Sequence, residues 1–144
     1  MDRVQLALSN ATQTHALEIG SGVLDKVPQV FKSQFPGKKA VVVAHAATWA
    51  VAGERVDSLL RQAGVETDAP IVFKDADMHA EWKYIEQLDA KLSHTGAVAV
   101  AVGAGTVNDI TKLCSAHQGR PYMVVATAAS MDGYVAFGAS ITRD

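Results

Sequence analysis

Apolar positions along the chain fall alternately into short continuous runs and into helical stripes, each closed by glycine, proline or a polar cluster. The segment His15–Gly20 predicts a first strand. A turn from Gly22 follows, with a helix restarting near Pro28, where a missing N–H costs little. Lys39–Ala44, with three consecutive valines, predicts a strand buried on both faces. Ala52, Val56, Leu59, Leu60 and Ala63 line one face of a helix over residues 47–63, ended by Gly64. Pro70–Phe73 predicts a third strand, and residues 79–93 a helix burying Trp82, Ile85, Leu88 and Leu92. The alternating Ala97–Val102 run predicts a fourth strand. A helix from Thr106 to about His117 follows it, with Val107, Ile110, Cys114 and His117 on one face. Tyr122–Ala126 predicts a fifth strand. Beyond it the period is lost, and Ser140–Asp144 reads as the start of another strand.

The order β-α-β-α-β-α-β-α-β with short connections implies an α/β fold of the Rossmann-like kind. Its parallel sheet has about five main strands and helices on both faces. The 144 residues suit one domain, with 49% apolar and 19% charged residues. A formal charge of -2 supplies no basic face for nucleic acid. Cys114, the single cysteine, excludes an internal disulfide and any CxxC site, and fits a reducing compartment. The N-terminal apolar run Val4–Leu8 is too short for a signal peptide, and no run reaches membrane-spanning length. These features predict a cytoplasmic protein with no membrane span.

The strongest local signal is Val102-Gly103-Ala104-Gly105-Thr106-Val107-Asn108-Asp109, between a buried strand and a helix. Glycines there let backbone approach a pyrophosphate, and the helix start offers free N–H groups and a positive dipole end. Thr106 and Asp109 have the spacing of a capping box. The alternative is a tight strand-to-helix turn with no ligand. The loop is not a Walker loop, because no Gly-Lys-Ser/Thr closes it. The pair Gly20 and Gly22 reads as a turn. A second signal, after the fifth strand, sets Thr127, Ser130 and Asp132 at the sheet edge where open parallel sheets bind ligands. Its alternative is a polar loop capping its own backbone. The five histidines are scattered, without HExxH spacing. His79 and Glu81 share a deaminase spacing but lack its PCxxC partner. Asp75, Asp77 and His79 read as a solvated loop before a helix, with Asp77 as N-cap. Trp49 and Trp82 read as packing residues on helices.

Taken together, GAGTVNDITK at 103–112, PYMVVATAASMDGYVAFGASIT at 121–142 and the weaker VVVAHAATWAVAG at 41–53 resemble the sn-glycerol-1-phosphate dehydrogenase family. That family lies within the iron- or zinc-dependent polyol dehydrogenase and dehydroquinate synthase-like superfamily. The resemblance implies NAD(P)-linked interconversion of dihydroxyacetone phosphate, a small phosphorylated substrate, and sn-glycerol 1-phosphate. It implies cofactor contacts from Gly103, Gly105, Thr106, Val107, Asn108 and Asp109. It also implies nicotinamide-side contacts from Thr127 and Ser130, and a substrate-contacting Asp132. Two departures stand out. Ala44-His45-Ala46 lacks the acidic residue that often reads the adenosine ribose, which leaves NAD or NADP open. Ala136 replaces a frequent serine.

The resemblance makes residues 1–144 the NAD(P)-binding domain. The zinc or iron belongs to a helical C-terminal domain absent from this chain, so that the chain alone has no metal ligands and no turnover. A homo-oligomer stays open. The alternatives are a fragment of a glycerol dehydrogenase or of a dehydroquinate synthase-like enzyme, or a non-catalytic nucleotide-binding module.

Overall fold

The computed structural model describes residues 14–20, 23–75, 81–103, 105–127 and 135–140. Among these, six strands form one sheet, with helices packed on both faces. β1 is Thr14–Gly20. A 3-10 turn at Val23–Lys26 leads into α1, Val27–Gln34, with Pro28 in its first turn. β2 is Ala40–His45. The helix after it has three parts: a turn α2 at Ala46–Thr48, a π segment at Trp49–Gly53, and α3 at Glu54–Gln62. β3 is Ile71–Phe73, α4 Trp82–Ser93, β4 Val98–Val102, α5 Thr106–His117, β5 Tyr122–Thr127 and β6 Val135–Ser140.

The spatial order is β1-β6-β5-β4-β2-β3. β5, β4, β2 and β3 pair in parallel, as the alternating pattern predicts. β6 runs antiparallel to both β5 and β1, so β1 points the same way as the parallel set but meets it through a reversed strand. The sixth strand is the main addition to the expected architecture. It ends at Ser140, where the sequence suggested a strand beginning.

Side-chain alternation divides the core in two. Ala40, Val42, Ala44, Val98, Val100 and Val102 face α1 and α3, where Val27, Phe31, Val56 and Leu60 meet them. Val41, Val43, Ala99 and Ala101 face α4 and α5, against Ile85, Leu88, Leu92, Val107, Ile110 and Cys114. Each large side chain so buried stabilises the fold by roughly 1.5–3 kcal/mol over its exposed state. The alanine row of β4 lets α4 and α5 lie close to the sheet, while its valine row fills the other face.

Four expected core positions differ. Trp82 is 63% exposed. The buried stripe of α4 is Tyr84, Ile85, Leu88 and Leu92, and Trp82 lies roughly 100° around the helix from its centre. Leu59 and Ala63 are half-buried flanks of the α3 stripe. His117 sits at the rim, where its Nδ1 lies 2.9 Å from Asp89 on α4. Trp49 packs against the core as expected. Gly64 ends the helix region at φ 83°, a conformation open to glycine. No helix among the described residues is long and apolar enough to cross a membrane.

Candidate nucleotide site at the carboxyl edge

Two helix starts stand side by side at the carboxyl ends of adjacent strands, β2 and β4. The chain leaves β2 toward one face of the sheet and β4 toward the other, because α3 and α5 belong to opposite halves of the core. Such a divergence opens a crevice at the carboxyl edge of an open parallel sheet.

The start after β4 is built on glycine. Gly103 is buried, at φ 155°, and donates its N–H to the Val125 carbonyl of β5 at 3.0 Å. A Cβ there would press on Val107 Cβ at 3.3 Å and Thr48 Cγ2 at 3.4 Å. The turn is therefore wedged between α5 and the loop after β2. Gly105 is exposed, at φ 50° and ψ -110°, and nothing lies within 4 Å of where its Cβ would project. It occupies the N-cap position of α5, and among the described residues no side chain caps the first turn. The expected capping box of Thr106 and Asp109 does not form. The turn through Gly105 moves the cap one residue earlier and leaves Thr106 inside the helix. The first N–H groups of α5 thus keep the anion-binding capacity of an uncapped helix start.

The start after β2 is closed on itself. His45 is its N-cap, and its Nδ1 accepts the Ala47 N–H at 3.3 Å. The His45 N–H donates to Thr48 Oγ1 at 3.0 Å, and the Thr48 hydroxyl approaches the His45 carbonyl at 3.1 Å. The other ring nitrogen, Nε2, bonds the Asp75 carbonyl beyond β3. Both ring nitrogens of His45 are thus engaged within the chain. The Asp75 carboxylate accepts from the Tyr84 hydroxyl, which holds the Tyr84 phenol above its ordinary range. The sequence signals for this side of the edge were weak. The β2 loop carries no glycine pattern, and the pairing of His45 with Asp75 joins residues 30 positions apart.

Within α5, Asn108 in the first turn accepts a hydrogen bond at Oδ1 from the Tyr122 hydroxyl at 3.1 Å. Tyr122 is buried, and burial first, then the nearby Asp109 charge, raises its pKa. Val107 is buried, Thr106 half-buried and Asp109 exposed. The structure thus brings together Gly103, Gly105, Thr106, Val107, Asn108 and Asp109 as one turn. Thr127 ends β5, the strand whose Val125 carbonyl the turn already grips. Ser130 and Asp132, like Ala104, Asp77 and His79, lie outside the described residues. The cap of α4 is Glu81 rather than Asp77. Among the described residues no group of three or more His, Cys, Asp or Glu could hold a metal ion. Cys114 is buried, and its thiol is pushed up to about 12 by burial and then by Asp89.

The sequence profile of the family described as iron-containing alcohol dehydrogenase matches residues 18–144. A glycerol-1-phosphate dehydrogenase [NAD(P)+] of Halalkalibacterium halodurans is 33% identical over 135 residues, covering 89% of this chain and 32% of its own. One from Methanosarcina acetivorans is 33% identical over 124 residues, covering 85% of this chain and 33% of its own. The chain therefore spans about a third of the length of these relatives. Among solved structures, a putative alcohol dehydrogenase of Ralstonia eutropha superposes with a TM-score of 0.58 at 25% identity, over 76% of this chain and 33% of its own. An iron-containing alcohol dehydrogenase of Thermococcus thioreducens superposes with a TM-score of 0.57 at 22% identity, over 69% of this chain and 25% of its own.

Proposed function

The chain belongs to the iron-containing alcohol dehydrogenase family, and on that premise we propose that it is the NAD(P)-binding part of a metal-dependent glycerol-1-phosphate dehydrogenase. The observation that carries the reading is the uncapped glycine turn at the end of β4, beside the loop with which it forms the crevice. The relatives, glycerol-1-phosphate dehydrogenases [NAD(P)+], supply glycerol 1-phosphate and the cofactor class; in this reading the oxidised partner is dihydroxyacetone phosphate.

The residues fit the dinucleotide at its pyrophosphate. Gly105 presents no side chain and has open space where one would stand. The first turn of α5 offers N–H groups that no side chain among the described residues has claimed. Gly103 keeps the turn seated by its bond to Val125, and Thr48 bounds it from the β2 side. When bound, the cofactor supplies or accepts the hydride at the substrate's carbonyl carbon. This chain's part is to hold the phosphates, orient the nicotinamide end toward the end of β5 and exclude water from one wall of the cleft. Thr127 and Ser130 serve the nicotinamide side in this reading, and Asp132 contacts substrate.

At the adenosine end, His45 stands where a ribose-reading carboxylate would discriminate against a 2′-phosphate. An imidazole brings no negative charge to that position, so both NAD and NADP are accepted in this reading. The described residues do not fit a metal ion, so no step runs through one on them. The reading assigns zinc or iron to the remaining length of the protein, in a helical domain.

Calorimetric titration of the chain with NADH, NADPH, ADP-ribose and nicotinamide mononucleotide tests the reading. ADP-ribose is expected to bind as NADH does, and nicotinamide mononucleotide far more weakly. Asn108→Asp keeps an acceptor for Tyr122 and suits the dipole of a helix start, so stability holds. It sets a negative charge beside the phosphates, and affinity should fall about tenfold, the equivalent of about 1.4 kcal/mol. Absence of any dinucleotide binding by the folded chain would refute the proposal.

A further inference from the structure

We propose that Tyr122 is a positioning residue for the nucleotide site, acting through the side-chain amide of Asn108. The inference rests on the phosphate-binding reading of the glycine turn and adds to it a residue that lies outside that turn.

Asn108 lies in the first turn of α5, three residues beyond the exposed Gly105. A primary amide is planar, with its acceptor oxygen and its two N–H donors on opposite branches. Facing an anion, the two orientations are not equivalent: one offers donors and the other an electron-rich oxygen. The Tyr122 hydroxyl selects between them. Its bond to Oδ1, at 3.1 Å, ties the oxygen to the inner side and leaves the donor branch directed away from Tyr122.

Tyr122 suits this task. Its ring is 4% exposed and belongs to the core half that contains α5, so it does not swing away. It begins β5, whose residues Tyr122 and Val125 pair with Ala99 and Val102 of the strand leading into the turn. The phenol and the turn are therefore held by the same two strands. Burial and the Asp109 charge keep the phenol protonated, so it acts as a donor throughout the neutral range. Removing the hydroxyl frees the amide to turn its oxygen toward the phosphates.

A double-mutant cycle tests the pairing. Affinity for ADP-ribose and NADH is measured by calorimetry on the 144-residue chain, on Tyr122→Phe, on Asn108→Ala and on the double variant. Loss of one hydrogen bond that orients a donor to a charged group predicts about three- to tenfold weaker binding for Tyr122→Phe. Asn108→Ala should weaken binding by a similar factor, and the double variant should bind no more weakly than Asn108→Ala alone. A role confined to structure would leave Tyr122→Phe at native affinity, or would make the two losses multiply. Either result overturns the proposal.

Asn108→Asp, which keeps the acceptor and removes both donors, supplies a check that does not depend on the folding of Tyr122→Phe. It must lose more affinity than Asn108→Ala, and equal or better binding overturns the role of the donors. If the unsubstituted chain binds neither ligand, the phosphate reading falls first and this inference with it. Native binding with no coupling in the cycle defeats the positioning role alone.

Discussion

The helix starts after β2 and β4 occupy equivalent places at the edge of neighbouring parallel strands, yet they satisfy their backbone in opposite ways. After β2, His45 and Thr48 cap one another's segment, and the imidazole is further tied to the Asp75 carbonyl. After β4, the cap is a glycine with positive φ, and among the described residues no side chain accepts from the first N–H groups. An N–H group already bonded within the chain adds little to ligand binding, whereas an unclaimed one at a helix start is a ready donor. In the proposed reading, anion recognition falls to the β4 side and the β2 side shapes the wall.

The largest effect in breaking this contrast is expected from Gly105→Val. At φ 50° and ψ -110° a branched residue is strained, although the space for its Cβ is open. The strain should cost about 1–3 kcal/mol of stability, read as a lowered denaturant midpoint, and dinucleotide binding should be lost. Full stability with native affinity would mean that the open turn is not what binds.

His45→Ala probes the closed start. Losing the cap should destabilise the chain by about 1 kcal/mol, with ADP-ribose affinity changed less than twofold. A large loss of affinity at native stability would move recognition to the β2 loop.

Alkaline titration probes the body of α5, below the open turn. The Cys114 thiol rises from an ordinary 9.0 to about 12 in the folded chain. The folded state therefore holds the proton that the unfolded state releases, and stability is fully present below pH 9 and declines as pH rises toward 12. Thiol reagents at pH 8 should modify Cys114 only on unfolding, whereas rapid labelling of the native chain would show that α5 opens locally.

The smallest effect is expected at the opposite end of the same helix. His117→Gln removes a partly exposed pair with Asp89, worth no more than about 0.5 kcal/mol, and should leave nucleotide affinity unchanged. Any coupling to binding would show that the two ends of α5 communicate.

Local pattern was enough for the parallel core and for the glycine turn. β4 declares itself through alternation of alanine and valine, and Gly103 and Gly105 through their place between a buried run and an amphipathic stretch. These signals are local because burial on both faces demands continuous apolar sequence and a strained turn demands glycine. β6 has no such pattern; its insertion between β1 and β5 is a matter of long-range pairing. The capping box failed for a related reason: spacing identifies residues that can cap, but the dihedral angles of Gly105 decided where the helix begins. Trp82 followed the helical period but lost its buried place to Tyr84, whose ring meets Phe73 of β3 edge-on at a centroid distance of 5.6 Å. The bonds of His45 to Asp75 and of Tyr122 to Asn108 span 30 and 14 positions. Sequence by itself determined which residues are capable of chemistry at the edge. Only the tertiary structure decided which of their donors are already used, because hydrogen-bond satisfaction depends on neighbours that the chain brings together by folding.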